Sequence, residues 1–254
     1  MKEAFTYMFK DNKFWIKGLI YLCLIFIANL LLNYAQTLLP PCPKCAPPPS
    51  WNYWVCFISG TILNLIPVGY MFSCVKTIID SEDTPVLPYI NPFGDLLKGL
   101  KYSIAMLIFL LPLLVITIII EFGISAILQG TLIGLICTRV FLLAVIIFTA
   151  SIFMGYNNMF SRDNSLLTFY KFKQLFSGIG SGKKRYFANL GMLFVVFFLN
   201  MTLEMGFGRA AALANLDTFA GLITVGLLSA ITGTYAIFII CHLTARSIEN
   251  KETV

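Results

Sequence analysis

The sequence predicts an all-α fold: a polytopic membrane helix bundle of six spans, built as three repeated hairpins with in-plane cytoplasmic amphipathic helices. Three observations carry this expectation. Apolar residues are in large surplus, they gather into six runs long enough to cross a bilayer, and the basic residues crowd into alternate connections.

The chain has 254 residues, 58% of them hydrophobic and only 12% charged, with Phe alone occurring 23 times. A water-soluble domain carries about 25% charged residues, and a folded sphere has too much surface for so few polar groups to cover. The excess must face lipid. The net charge of +6 sits between apolar runs and forms no base-reading stripe, so no nucleic-acid partner is expected. The single His, His242, excludes a multi-histidine metal site.

The spans follow from the apolar runs. They are expected over residues 16–39, 54–79, 102–120, 134–156, 187–203 and 219–243. The first follows Lys2, Lys10, Lys13 and Lys17, but it is too long for a signal-peptide core and lacks a cleavage site, so it reads as a retained span. Trp15, Trp51 and Trp54 fall at span ends, where an indole prefers the headgroup layer. Pro67 and Pro112 are expected to kink or loosen their helices. The stretch 122–139 stays apolar and leaves three readings open: an interfacial helix, a re-entrant segment or an early start to the fourth span.

Alternate connections differ sharply in charge. Fifteen of the eighteen Lys and Arg fall on one side, and Lys44, Arg139 and Arg209 on the other. Basic connections are retained in the cytoplasm during insertion, so both termini are expected on the cytoplasmic side, with the chain a multi-pass protein of the cell (inner) membrane. A seventh span would destroy this agreement.

The cytoplasmic connections share a plan: an aromatic start, a basic cluster, then a span. The starts are Phe5–Phe9, Phe93–Leu97 and Phe172–Phe176, and the second span of each pair carries Gly69-Tyr70, Gly155-Tyr156 or Gly233-Thr234-Tyr235. Both markers recur at about a third of the chain, as expected of three repeat units near 1–80, 81–160 and 161–254 within a single membrane domain spanning 1–254. The clearest in-plane candidate is the segment Leu166–Ile179, with Leu166, Phe169, Phe172, Phe176 and Ile179 near one face. Gly69, Gly155 and Gly233 are expected at close helix contacts, with Ser151 and Ser229 one turn before the latter two.

Few side chains suggest chemistry. Glu121, Arg139, Glu204 and Arg209 hug the external span ends and form a possible polar mouth; hydrated charges closing the hairpins are the plainer alternative. Asn29, Asn33, Asn64, Asn189 and Asn200 lie within spans, either lining a path or bonding between helices. Cys42 and Cys45, in a proline-rich external connection, form a possible disulfide. No catalytic set, cofactor site or metal site is expected.

The stretches Pro67-Val68-Gly69-Tyr70, Leu87-Pro88, Gly99-Leu100-Lys101 and Leu111-Pro112 resemble the multi-pass membrane domain-of-unknown-function family numbered 4013. The resemblance implies the fold and the membrane location, and brings no established activity, cofactor or catalytic residue. The expectation for function is a non-enzymatic membrane assembly or accessory protein, partnered by the lipid bilayer and by a second copy or another membrane protein. The alternative is a transporter or lipid-handling permease, which a polar cavity at mid-membrane would favour.

Overall fold

Local chemistry sets where the helices start and stop. Ser50 accepts a hydrogen bond from the Tyr53 amide (3.4 Å), and Thr131 accepts one from Gly134 (3.0 Å). At Asn91-Pro92 the Asn91 side chain accepts from the Gly94 amide (3.1 Å). Pro92 then fills the first helical position, where no N–H is needed, and Asp95 accepts from the Asn91 amide (2.9 Å). Asn164 ends its helix in the left-handed region with φ 49°.

The structure, a computed structural model, describes residues 9, 11–39, 50–81, 87–128, 131–213 and 218–248. Seven α-helices and no strand occur among the described residues. They are α1 (Phe14–Thr37), α2 (Trp51–Asp80), α3 (Pro92–Ile127), α4 (Leu132–Asp163), α5 (Phe172–Ser181), α6 (Lys183–Leu213) and α7 (Thr218–Ala245), with a 3-10 helix over Leu166–Tyr170. All but α5 are long and apolar enough to cross a membrane. Helices α2 and α3 run unbroken through Pro67 and Pro112.

Three expectations change. The stretch 122–139 is divided between two long helices, because α3 continues to Ile127 and α4 begins at Leu132. Phe93–Leu97 is the first part of α3 and not a separate helix, since the Asn91 cap starts one continuous run. The segment Leu166–Ile179 breaks at Lys171 into the 3-10 helix and α5. Most of the first aromatic start, residues 5–8, lies outside the described residues, as do Cys42 and Cys45.

The chain forms two compact units: Met1–Leu100 with Gly191–Arg246, and Lys101–Leu190 with Ser247–Val254. In the first, α1, α2 and α7 close on a core containing Tyr21, Tyr70, Cys74, Phe238 and Cys241. The Tyr21 ring lies 5.2 Å from Tyr70 and 5.5 Å from Phe238. Backbones of α2 and α3 touch: a Cβ at Gly69 would fall on the Asp95 carbonyl oxygen, and one at Gly99 on that of Leu65. Only glycine permits so close a crossing.

A buried clamp ties the start of α1 to the segment before α3. The Lys17 ammonium donates to Asp11 Oδ2 at 2.7 Å, with side chains 3% and 5% exposed, and also to the Leu87 carbonyl. Asp11 accepts from the Leu87 amide (2.9 Å) and the Lys13 amide (2.8 Å). Burial alone would raise the Asp11 pKa; the bonds from Lys17, Lys13 and Leu87 outweigh it and hold the carboxyl below its ordinary 3.8. Lys13, which donates to the Tyr89 hydroxyl (2.8 Å), is shifted upward by that bond. Tyr70 donates to the Pro88 carbonyl at 2.9 Å, so the same segment covers it.

In the second unit Tyr156 is buried beneath the segment after its own helix, its ring stacked on Phe169 at 5.0 Å. Tyr102 donates to Asn157 Oδ1 (2.9 Å). A Cβ at Gly155 would strike Leu175 of α5, and Tyr186 donates to the Ser151 carbonyl.

Tyr70 and Tyr156 therefore share a plan, each fully buried under the chain that follows it. Tyr235 does not: it is 40% exposed, and a Cβ at Gly233 would meet nothing within 4 Å. The third marker thus differs from the other two in burial and in the space beside its glycine.

Candidate functional site

Within the first unit, four helices each turn one face toward a shared cavity of about 310 Å³. Helix α1 supplies Tyr21, Ile25 and Asn29, each one turn from the next. Helix α2 supplies Asn64, Pro67, Val68 and Met71, and α6 supplies Phe197, Asn200 and Glu204. Helix α7 supplies a stripe that includes Ser229, Gly233 and Ala236. All these spacings follow the 3.6-residue turn, so each helix presents a single row to the space.

The cavity exists because the rows fit poorly. Helix α6 packs on α7 through Val196 against Ile239 and Leu243. Beside that contact α7 offers small side chains, and the short polar amides of α1, α2 and α6 face them. The Ser229–Gly233 pair, expected to bring helices together, is here part of the cavity wall, consistent with the empty space around a Cβ at Gly233.

Amide and carboxylate groups converge in this space from three separate helices. Asn64 lies near the middle of the 30-residue α2, about 20 Å from its start at 1.5 Å per residue. Glu204 and Asn200 are one turn apart on α6, and the Asn200 amide nitrogen donates to Glu204 Oε1 at 3.0 Å. The Asn200 amide oxygen is buried without a hydrogen-bond donor among the described residues. Pro67 offers its carbonyl to the Tyr21 hydroxyl at 3.3 Å.

Of the four charges expected at an external mouth, only Glu204 lines the cavity. Glu121 and Arg139 belong to the second unit, Glu204 and Arg209 to the first. No ion pair among the described residues involves any of the four. Of the five asparagines within spans, Asn29, Asn64 and Asn200 face the cavity, whereas Asn33 and Asn189 do not line it. Among the described residues no group of three His, Cys, Asp or Glu is placed to hold a metal ion.

A sequence profile described as protein of unknown function (DUF4013) matches residues 53–207, more than half of the chain. The chain belongs to this family. The DUF4013 match takes in α2 through most of α6, and so includes Asn64, Pro67, Asn200 and Glu204 but not Asn29 or Ser229. No curated protein and no solved structure matches the chain.

Sequence reading picked out the three amides and the carboxylate separately, on different grounds. Their convergence was hidden because α1, α2 and α6 are remote in the sequence. The Asn200–Glu204 spacing was the one visible sign that two of them share a helix face.

Proposed function

We propose that this DUF4013 member is a non-enzymatic permease that admits a small polar solute into the cavity bounded by α1, α2, α6 and α7. The observation that carries the reading is the convergence of Asn29, Asn64, Asn200 and Glu204 on one space within membrane-crossing helices. Amide side chains within spans are costly in lipid, and in transporters polar residues there mark solute and ion paths. Glu204 stands three residues from the end of its span, at the edge of that space. A helix bundle needing only interhelical bonds would pair these groups directly and leave no space between them. The amides and the lone carboxylate supply binding groups but no nucleophile paired with a base.

Proteoliposomes provide the test. Flux of glycerol, urea, Na⁺, K⁺ and methylammonium is compared between the wild-type chain and Gly233→Leu, which adds bulk at an uncrowded point of the wall. At least one wild-type flux should exceed that of empty vesicles and fall in the variant. Equality with empty vesicles for every solute refutes a permease.

The same proposal places both termini in the cytoplasm of a cell membrane, on the strength of the charge asymmetry, with α5 lying in the interface. Support for the latter is its exposed Phe172, Phe176 and Lys173. A reporter fused after Lys173 that signals from outside overturns this orientation.

A further inference from the structure

The wall of the cavity is unbalanced in charge and in hydrogen-bonding capacity. Among the described residues Glu204 is the one acidic side chain along it, and no lysine, arginine or histidine lines it. Among the described residues no ion pair involves Glu204. Its polar contact is with Asn200, whose amide nitrogen donates at 3.0 Å. An ionised carboxylate only accepts, so this bond decides which end of the amide faces it. The Asn200 oxygen is turned elsewhere, and it is buried with no donor among the described residues. Asn29 and Asn64 line the same space, and each amide has an oxygen that a cation can recruit by a turn of the side chain. What the wall lacks is a positive centre.

We infer that the cavity binds a monovalent cation, inorganic or a small ammonium, with Glu204 as counter-charge and amide oxygens as neutral ligands. This rests on the proposed role of the cavity as a solute site. One carboxylate neutralises one charge. A divalent ion would retain a net positive charge in a low-dielectric site and usually recruits several carboxylates. An anion would meet Glu204 with no basic group to offset it. Asn amides and a single carboxylate are hard oxygen donors, suited to alkali ions and to N–H donors alike. The space of about 310 Å³ accommodates an alkali ion with water or an organic ammonium.

Binding is measured on the full chain in nanodiscs of zwitterionic lipid, separately from transport. At constant ionic strength, N-methylglucamine chloride is replaced stepwise by NaCl, KCl or methylammonium chloride while thermal unfolding is followed. A ligand that binds the folded state raises the Tm saturably, and the arm that does so identifies the source of the charge. Glu204→Gln should weaken the apparent affinity by about tenfold or more, whereas Asp80→Asn, an exposed carboxylate outside the cavity, should titrate like wild type. Should Glu204→Gln not fold, Asn64→Ala takes its place beside the wild-type titration. Failure of all three cations to raise the Tm above the N-methylglucamine reference overturns the inference, as does a Glu204→Gln titration indistinguishable from wild type. Cation binding with no flux in proteoliposomes leaves this site standing and removes the permease. Flux of a neutral solute without cation binding does the reverse.

Discussion

Replacing Asp11 with Ala should open the segment Leu87–Asn91 while leaving the helices largely formed. Asp11 accepts three bonds in the structure, from the Lys17 ammonium at 2.7 Å, the Leu87 amide at 2.9 Å and the Lys13 amide at 2.8 Å. Its loss strands an ammonium that is only 3% exposed. Breaking one side of a buried ion pair costs about 3–5 kcal/mol, because the remaining charge stays desolvated. Each 1.4 kcal/mol is tenfold, so the opening equilibrium should shift by about two to four powers of ten. The Leu87 amide reports this directly, since its acceptor is the deleted carboxylate. Hydrogen exchange read by mass spectrometry should accelerate there, with little change at mid-helix positions such as Phe72. Asp11→Leu combined with Lys17→Met should recover much of the loss, as apolar replacements of buried pairs commonly do. Less than a tenfold change at Leu87 in Asp11→Ala, or a double variant as open as the single, would show that the clamp does not hold this segment.

The clamp also has a pH signature. The Asp11 pKa is lowered on folding, so its contribution is present above the ordinary 3.8 and lost as pH falls through the lower folded value. The protection factor at Leu87, its exchange relative to that of the unfolded amide at the same pH, should then be high at pH 7 and fall only below about 4, with wild type and Asp11→Asn converging there; convergence already at pH 6 would assign the protection to another group. Glycine replacements should separate crossing points from free faces. Gly69→Ala puts a methyl onto the Asp95 backbone carbonyl, which cannot swing aside, and should cost roughly 1–3 kcal/mol or more. Gly191→Ala, with nothing within 4 Å, should be neutral or gain up to about 1 kcal/mol in helix propensity. Thermal unfolding in detergent measures both, and equal effects would mean that the α2–α3 crossing tolerates a side chain.

Span number, helix identity and family follow from the sequence alone because they depend on quantities local to the chain. An apolar run of membrane length has one economical structure in lipid, and neighbouring residues suffice to recognise it. All six expected spans correspond to helices. Helix ends were less legible: Asn91-Pro92 carries a capping pattern, yet the expected span started ten residues later because apolar content and helix content do not end together.

Tertiary structure decided what the polar residues do. Asp11 and Lys17 are close in sequence, but their burial depends on Leu87, brought in by the segment after α2. Asn29, Asn64 and Asn200 each read equally well as interhelical glue; only the mismatch between the α6 and α7 faces leaves space in front of them. Tyr70 and Tyr156 directly follow a glycine and are sealed by a following segment, whereas Tyr235, set one residue further from its glycine, is 40% exposed. Local sequence fixes a helix because its hydrogen bonds close within four residues. A cavity is a property of faces that meet from distant parts of the chain, and no single face records what it will meet.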